Sequence, residues 1–131
     1  MNIEKLTIAH ISDLHRSQES PISNAALLDS LLLDRDNYVK KFSVRSPDIL
    51  IVSGDIIYGS NDPNNFDEII KKQYDEAFEF LDEIAKEFFA GERSRIAIIP
   101  GNHDVAWHYS KESMTKVQES EFSYDAGFLT L

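Results

Sequence analysis

The 131-residue sequence contains no cysteine, which excludes disulfide bonds and thiolate metal sites. It has no run of about 18 apolar residues, the length needed for a membrane-spanning helix. Its first residues also lack the apolar core of a signal peptide, and we therefore expect a cytoplasmic protein with no membrane partner. Basic residues are scarce: the chain has 13 Lys and Arg and 23 Asp and Glu, which gives a net charge of −10. That balance disfavours non-specific binding to nucleic acid, which depends on a basic surface.

Acidity does not exclude a phosphate substrate, because bound cations can reverse the local sign of charge. Apolar residues make up 42% of the chain and charged residues 27%, a composition typical of globular proteins and not of disordered ones. The length suits one small domain or part of a larger one.

Three short apolar stretches predict β-strands, at residues 6–11, 49–52 and 95–99. Helices are predicted between them. The first covers 22–42, with Ser23 or Asn24 as its N-cap, and the second covers 66–89. The resulting β-α-β-α-β order with long crossovers predicts an α/β fold built on a parallel sheet with right-handed connections.

The second predicted helix has its apolar residues at spacings of three and four, and Gly91 is the expected terminator. The stripe comprises Phe66, Ile70, Tyr74, Ala77, Phe78, Leu81, Ile84, Ala85 and Phe88. After Asp104 the pattern weakens, and only Met114 and Val117 favour a further helix over 110–121.

The predicted strands 49–52 and 96–99 are apolar at every position, as in sheets covered on both faces. If the strands are added in one direction, right-handed crossovers place both helices on the same face. The other face would stay bare, and each exposed large apolar side chain forfeits about 1.5–3 kcal/mol. We therefore expect residues 1–131 to be a single but incomplete domain.

Each predicted strand is followed by polar residues, and in parallel sheets ligands bind beyond the carboxyl ends of the strands. Carboxylate, imidazole and amide oxygen suit Mn²⁺, Fe²⁺/Fe³⁺ or Zn²⁺. Two such ions about 3.5–4 Å apart can clamp a phosphoryl group and activate water. Asp55, in the middle one of the three polar clusters, is placed to bridge them. The polar residues are Asp13 and His15, then Asp55 after Gly54, then Gly101, Asn102, His103 and Asp104.

These motifs resemble the signature of the calcineurin-like metallophosphoesterases. The match consists of Asp13-Leu14-His15, Gly54-Asp55 and Gly101-Asn102-His103-Asp104, and it covers roughly residues 6–107. The residues that flank the motifs are similar to those of the bacterial branch that includes cyclic-nucleotide phosphodiesterase-like enzymes. The resemblance implies a hydrolase of phosphoric esters and the first half of an α/β/β/α sandwich.

The resemblance also implies a role for each motif residue. Asp13 and His15 would bind the first metal ion, and Asp55 would bridge both ions. Asn102 would bind the second ion and lie beside the substrate. His103 would contact the substrate phosphate as an acid or hydrogen-bond donor, with Asp104 orienting its imidazole. A hydroxide bridging the metals would attack phosphorus.

The sequence departs from the family after His103, because only His108 follows it and no Gly-His-x-His element is present. The family draws further metal ligands from such an element. A missing C-terminal half or a second chain would then complete the site.

Two alternatives stay open. One is a non-catalytic or truncated module acting in regulation or interaction, and the other is a receiver-like phosphoacceptor domain. The substrate is also open among cyclic nucleotide, nucleic acid, nucleotide and phosphoprotein. Two residues near the motifs are expected to have ordinary roles. His10 is expected to be partly buried and hydrogen-bonded, and the side chain of Arg16 is expected to be exposed to solvent.

Overall fold

The computed structural model describes residues 5–62 and 64–105. It contains three strands and two helices in the predicted β-α-β-α-β order, and a short 3₁₀ turn over Arg93–Arg95 precedes the last strand. The α/β prediction is confirmed, whereas the helix predicted over 110–121 lies outside the described residues. The elements are β1 (Ile8–Ser12), α1 (Asn24–Phe42), β2 (Ile49–Gly54), α2 (Phe66–Phe89) and β3 (Ile96–Pro100).

The sheet is parallel, and β2 lies between β1 and β3. Ser12 at the end of β1 pairs with Ser53, and Gly54 at the end of β2 pairs with Pro100. The carboxyl ends of all three strands therefore lie at one rim, and the polar residues that follow them begin side by side.

Helix α1 is capped at both ends by hydrogen bonds. The Oγ of Ser23 accepts a hydrogen bond from the N–H of Ala26 at 3.2 Å, which confirms Ser23 as the N-cap. At the other end Ser43 has a φ of 54°, and the N–H of Val44 donates to the carbonyl of Tyr38. This is the left-handed helix stop that leaves the chain free to enter β2.

Helix α2 has the predicted bounds, and Gly91 terminates it as expected. Gly91 has a φ of 86°, and its N–H donates to the carbonyl of Ala85 at 2.9 Å. Two members of the predicted apolar stripe are exposed instead. Tyr74 reaches across to a backbone carbonyl, and Phe78 lies against the guanidinium of Arg93.

The core lies on one face of the sheet only. Leu50 and Val52 of β2 are buried against the two helices, whereas Ile8 and Ile99 on the neighbouring strands are 51% and 56% exposed. The predicted one-sided cover of the sheet is confirmed for the described residues. The helix residues of the core are Ala77, Phe80, Leu81, Ile84 and Phe89, with Leu27, Leu28 and Leu31 packed beside them.

His10 lies on the face opposite the helices and is exposed, not partly buried as expected. Its Nε2 lies 2.7 Å from the Oγ of Ser53 on the neighbouring strand, so the predicted hydrogen bond is present. Among the described residues, no helix combines the length and apolar character needed to cross a membrane.

Candidate metal centre

The first two motifs are tied together by backbone hydrogen bonds beyond the ends of the strands. The N–H of Asp13 donates to the carbonyl of Ser53 at 3.1 Å, and the N–H of His15 donates to that of Asp55 at 3.0 Å. The pairing of β1 with β2 thus continues into the loops. It places the Asp13 and His15 backbone directly beside the residues that lead to Asp55.

Asp13 and His15 both adopt the left-handed backbone conformation, with φ of 52° and 45°. That region costs a residue with a Cβ about 1–2 kcal/mol. Such conformations persist where the surrounding structure fixes them, and they concentrate at functional sites. The cross-strand hydrogen bonds of both residues provide that restraint here.

Gly54 makes room for the Asp13 carboxylate. It has a φ of 77°, and a Cβ at this position would lie 2.8 Å from the Oδ1 of Asp13. The glycine therefore provides both the turn before Asp55 and the space in which the first motif's carboxylate lies.

Gly101 allows an even closer approach. A Cβ there would overlap the Oδ1 of Asp55 and lie 2.5 Å from the Asp55 backbone nitrogen. Beside it, the N–H of His103 donates to the same Oδ1 at 2.8 Å. The third motif is thus packed on Asp55, which is itself buried.

Asp104 connects the loop after β3 to the loop after β2 through hydrogen bonds. Its carboxylate accepts hydrogen bonds from the backbone N–H groups of Ile56 and Ile57, each at 3.0 Å, and of Gly101 at 2.8 Å. Three amide donors leave this carboxylate as a structural link between the loops.

The ring of His103 has a backbone partner in the structure, and the orienting role expected for Asp104 stays a prediction. The backbone carbonyl of Tyr58 lies 2.5 Å from the Nδ1 of His103 and is its partner. The Asp104 carboxylate is engaged by backbone amides of both loops. A carbonyl only accepts hydrogen bonds, so Nδ1 carries the proton in the neutral ring.

Three donor atoms converge at the rim. The Oδ2 of Asp55 lies 4.0 Å from the Nε2 of His15 and 3.8 Å from the Nε2 of His103. All three atoms lie within 4.8 Å of one another. The rings of His15 and His103 are nearly perpendicular, with centroids 5.4 Å apart.

This arrangement fits a divalent cation. Metal bonds to imidazole nitrogen or carboxylate oxygen are about 2.0–2.2 Å long, so two ligands of one ion lie at most about 4 Å apart. The separations of 3.8 and 4.0 Å exceed hydrogen-bonding range and lie near that upper bound, so a bound ion would draw the three donors closer together. The Nδ1 of His15 is buried and has no hydrogen-bond partner in the part of the chain described. The donor set of one carboxylate and two imidazoles suits Zn²⁺, Mn²⁺ or iron.

The remaining predicted ligands lie at the same rim but outside this trio. Asp13 lies over Gly54, and Asn102 is an exposed residue between Gly101 and His103. Their ligand roles stay predictions. The Nε2 of His103 is one of the three converging donors, and its expected role beside the substrate stays a prediction.

Arg16 is not solvated, contrary to expectation, because only 3% of its surface is exposed. Its guanidinium donates to the carbonyl of Ile22 at 2.9 Å and lies 3.6 Å from the Glu76 carboxylate. It also lies over the ring of Phe80. Arg16 therefore anchors the loop after His15 to helix α2.

Tyr74 connects helix α2 to the third motif. Its hydroxyl donates to the backbone carbonyl of Asp104 at 2.9 Å. Burial, and then the nearby negative charge of Asp104, raise the pKa of Tyr74 above its usual value. The hydroxyl therefore stays protonated and able to donate at neutral pH.

A family model described as calcineurin-like phosphoesterase matches residues 6–129. The chain belongs to this family. The match starts just before β1, covers all three motifs and extends past the 6–107 range of the motif resemblance. Comparisons with curated proteins and with solved structures found no match.

Two groups near this phosphoesterase site lie outside the three motifs and were not predicted from the sequence. One is the Tyr58 carbonyl on His103, which is a backbone group and leaves no sequence signal. The other is Gln73, a buried polar residue of α2. Gln73 falls three residues after Ile70 and four before Ala77, and an uncharged polar residue inside an apolar stripe was the available signal.

Proposed function

We propose that this chain is a metal-dependent phosphoester hydrolase that acts in the cytoplasm through two divalent metal ions. The observation that carries the proposal is the convergence of Asp55, His15 and His103 on one point at the rim of the sheet. Family membership supports the same reaction class. Bound cations would supply positive charge for the phosphoryl oxygens and acidify the attacking water.

Asp55 is the central ligand in this proposal. Its Oδ1 is held by the N–H of His103, and its Oδ2 faces both imidazoles, so the two oxygens have separate tasks. Asp13 and His15 would hold the first ion, with Asp55 shared. Asn102 would contribute its amide oxygen to the second ion and help to place the substrate.

His103 is proposed to act on the substrate and not as a metal ligand, because a nitrogen bound to a metal ion has no proton to donate. With Nδ1–H held by the Tyr58 carbonyl, its Nε2 is directed to the rim beside Asp55. In the protonated ring, Nε2 donates to the leaving oxygen of the ester, the general-acid role of histidine. Asp104 acts on His103 only through the backbone, because it fixes the loop that carries both residues.

A cleft of about 480 Å³ adjoins His15, one of the three converging residues, and could receive the organic group of an ester. Tyr58, His15 and Ile22 line it, and the Tyr58 side chain is largely exposed beside both imidazoles. An aromatic or apolar alcohol group would find a matching surface there.

A non-catalytic module is the second candidate. The trio contains one carboxylate and two imidazoles, which suffices for one ion and leaves the second with Asn102 and Asp55. Catalysis would then require residues of a second chain, or of a C-terminal half, to complete the site. Membership of the phosphoesterase family gives no support to the receiver-like alternative.

Metal addition tests the proposal. Mn²⁺ is expected to confer turnover of an aryl phosphodiester or monoester on this chain and to raise its melting temperature. At a concentration 100 times its dissociation constant, a bound ion adds about 2.7 kcal/mol to the free energy of unfolding. Release of the aryl alcohol and thermal unfolding are measured with and without Mn²⁺.

Two histidine variants provide the control. His103→Ala is expected to abolish turnover, whereas His10→Ala removes an imidazole on the open face of the sheet and should leave it intact. A rise in melting temperature without turnover would favour the non-catalytic module. The metal-site proposal would be wrong if neither quantity responded to Mn²⁺.

A further inference from the structure

Gln73 is a buried polar residue outside every motif, and both polar atoms of its side chain have a hydrogen-bond partner. It lies on α2 facing the core and is 7% exposed. Its Oε1 accepts from the N–H of Gly59 at 2.8 Å, and its Nε2 donates to the carbonyl of Gly59 at 3.1 Å. A carboxamide matches the donor and acceptor of one backbone residue, so Gln73 holds Gly59 at both of its polar groups.

The held residue lies directly against His103. Gly59 has a φ of 81°, and a Cβ there would lie 3.2 Å from the Nδ1 of His103. No side chain separates the two, so the backbone at Gly59 is in close contact with the imidazole.

The decisive contact runs through a single peptide group. The N–H that donates to Gln73 belongs to Gly59, and the carbonyl that accepts from His103 belongs to Tyr58. These are the two polar ends of one planar unit, in which N–H and C=O point in opposite directions. By fixing the N–H, Gln73 also fixes the direction in which the carbonyl points.

We propose that Gln73 is a positioning residue for His103. Through the Tyr58–Gly59 peptide it holds the imidazole as the Nδ1–H tautomer, with Nε2 turned toward Asp55. Hydrogen bonds in such a chain strengthen one another, so loss of the first weakens the second. The consequence for turnover rests on the proposed function, whereas the tautomer does not.

The tautomer is measured by nitrogen NMR of the ¹⁵N-histidine-labelled, metal-free protein at a pH where the ring is neutral. His103→Ala assigns the signals. The wild-type protein is expected to show His103 with a protonated Nδ1 and an unprotonated Nε2. In Gln73→Met, a near-isostere without the amide, the Nδ1 signal should shift toward that of an unprotonated nitrogen.

Two further variants separate positioning from packing. Gln73→Glu retains an oxygen acceptor for the Gly59 N–H and should keep the wild-type tautomer. Asn24→Leu removes a different side-chain amide, which donates to the Glu76 carbonyl at 3.0 Å, and should also leave His103 unchanged. If turnover is present, Gln73→Met should lower kcat about 10-fold, the lower end of the effect of losing an outer-shell partner at a metal site, with a smaller change in KM, because Gln73 acts through the Tyr58–Gly59 peptide.

The proposal is overturned if wild-type His103 is the Nε2–H tautomer, a result that needs no folded variant. It is also overturned if Gln73→Met folds and leaves the His103 signals in place. Because neither measurement uses metal or substrate, an inactive chain with the expected tautomer would refute the hydrolase proposal and leave the role of Gln73 intact.

Discussion

Replacing Asp55 with asparagine is expected to abolish Mn²⁺-dependent turnover and the accompanying rise in melting temperature. The buried Oδ2 faces both imidazoles at 3.8–4.0 Å, and the substitution removes the only carboxylate of that trio. An amide oxygen carries no net charge, so the affinity for a divalent cation falls steeply. Turnover and metal-induced stabilisation are measured on the same preparation.

Asp75→Asn is the matched control, because it neutralises an exposed carboxylate on helix α2. Both variants change the net charge equally, so any general electrostatic effect on cation binding is shared. Equal losses in the two proteins would show that overall charge, and not the rim, determines binding. Full Mn²⁺-dependent turnover in Asp55→Asn would refute the central role given to this residue.

Replacing Gly101 with alanine is expected to destabilise the fold and disable the site together. The added methyl group would overlap the Asp55 carboxylate and lie 2.5–2.6 Å from backbone atoms of Asp55 and Gly54. Backbone atoms of a paired strand end cannot rotate away as a flexible side chain does. We expect a loss on the order of 3 kcal/mol in the free energy of unfolding, at the upper end for overpacking.

Gly91→Ala gives the comparison for Gly101. Gly91 needs its left-handed conformation, with a φ of 86°, but a Cβ there meets nothing within 4 Å. The conformational cost alone is about 1–2 kcal/mol. Chemical denaturation compares the two variants, and Mn²⁺-induced stabilisation should survive only in Gly91→Ala. Equal stability of Gly101→Ala and the wild type would mean that the two motifs are not packed as the structure has them.

Strong periodic patterns made the elements predictable, and local partners decided their ends. Helix α2 has the predicted bounds because its apolar residues recur through the whole length. Helix α1 begins at Asn24, two residues late, because the Ser23 side chain caps it. Strand β2 continues to Gly54 because its pairing with β3 includes two polar or small residues that hydrophobicity does not reveal.

The site was predictable to the extent that parallel topology brings strand ends together. That reasoning located Asp55 and His15 on one rim, where the structure has them converge with His103. It misjudged the burial of Arg16 and missed the Tyr58 carbonyl on His103, because these contacts depend on the backbone carbonyls of Ile22 and Tyr58. Every residue carries a carbonyl, so no residue type marks the one that will be used.

The left-handed conformations of Asp13 and His15 lower the thermal stability of the protein at positions that the proposed metal site requires. The conformation of His15 costs about 1–2 kcal/mol at most, and that of Asp13 costs less, because aspartate adopts this region more readily. Glycine at either position would relieve that energy and remove a proposed ligand. A selection for thermal stability alone would therefore accumulate substitutions in the first motif. The most thermostable variants would be those that bind a metal ion least well.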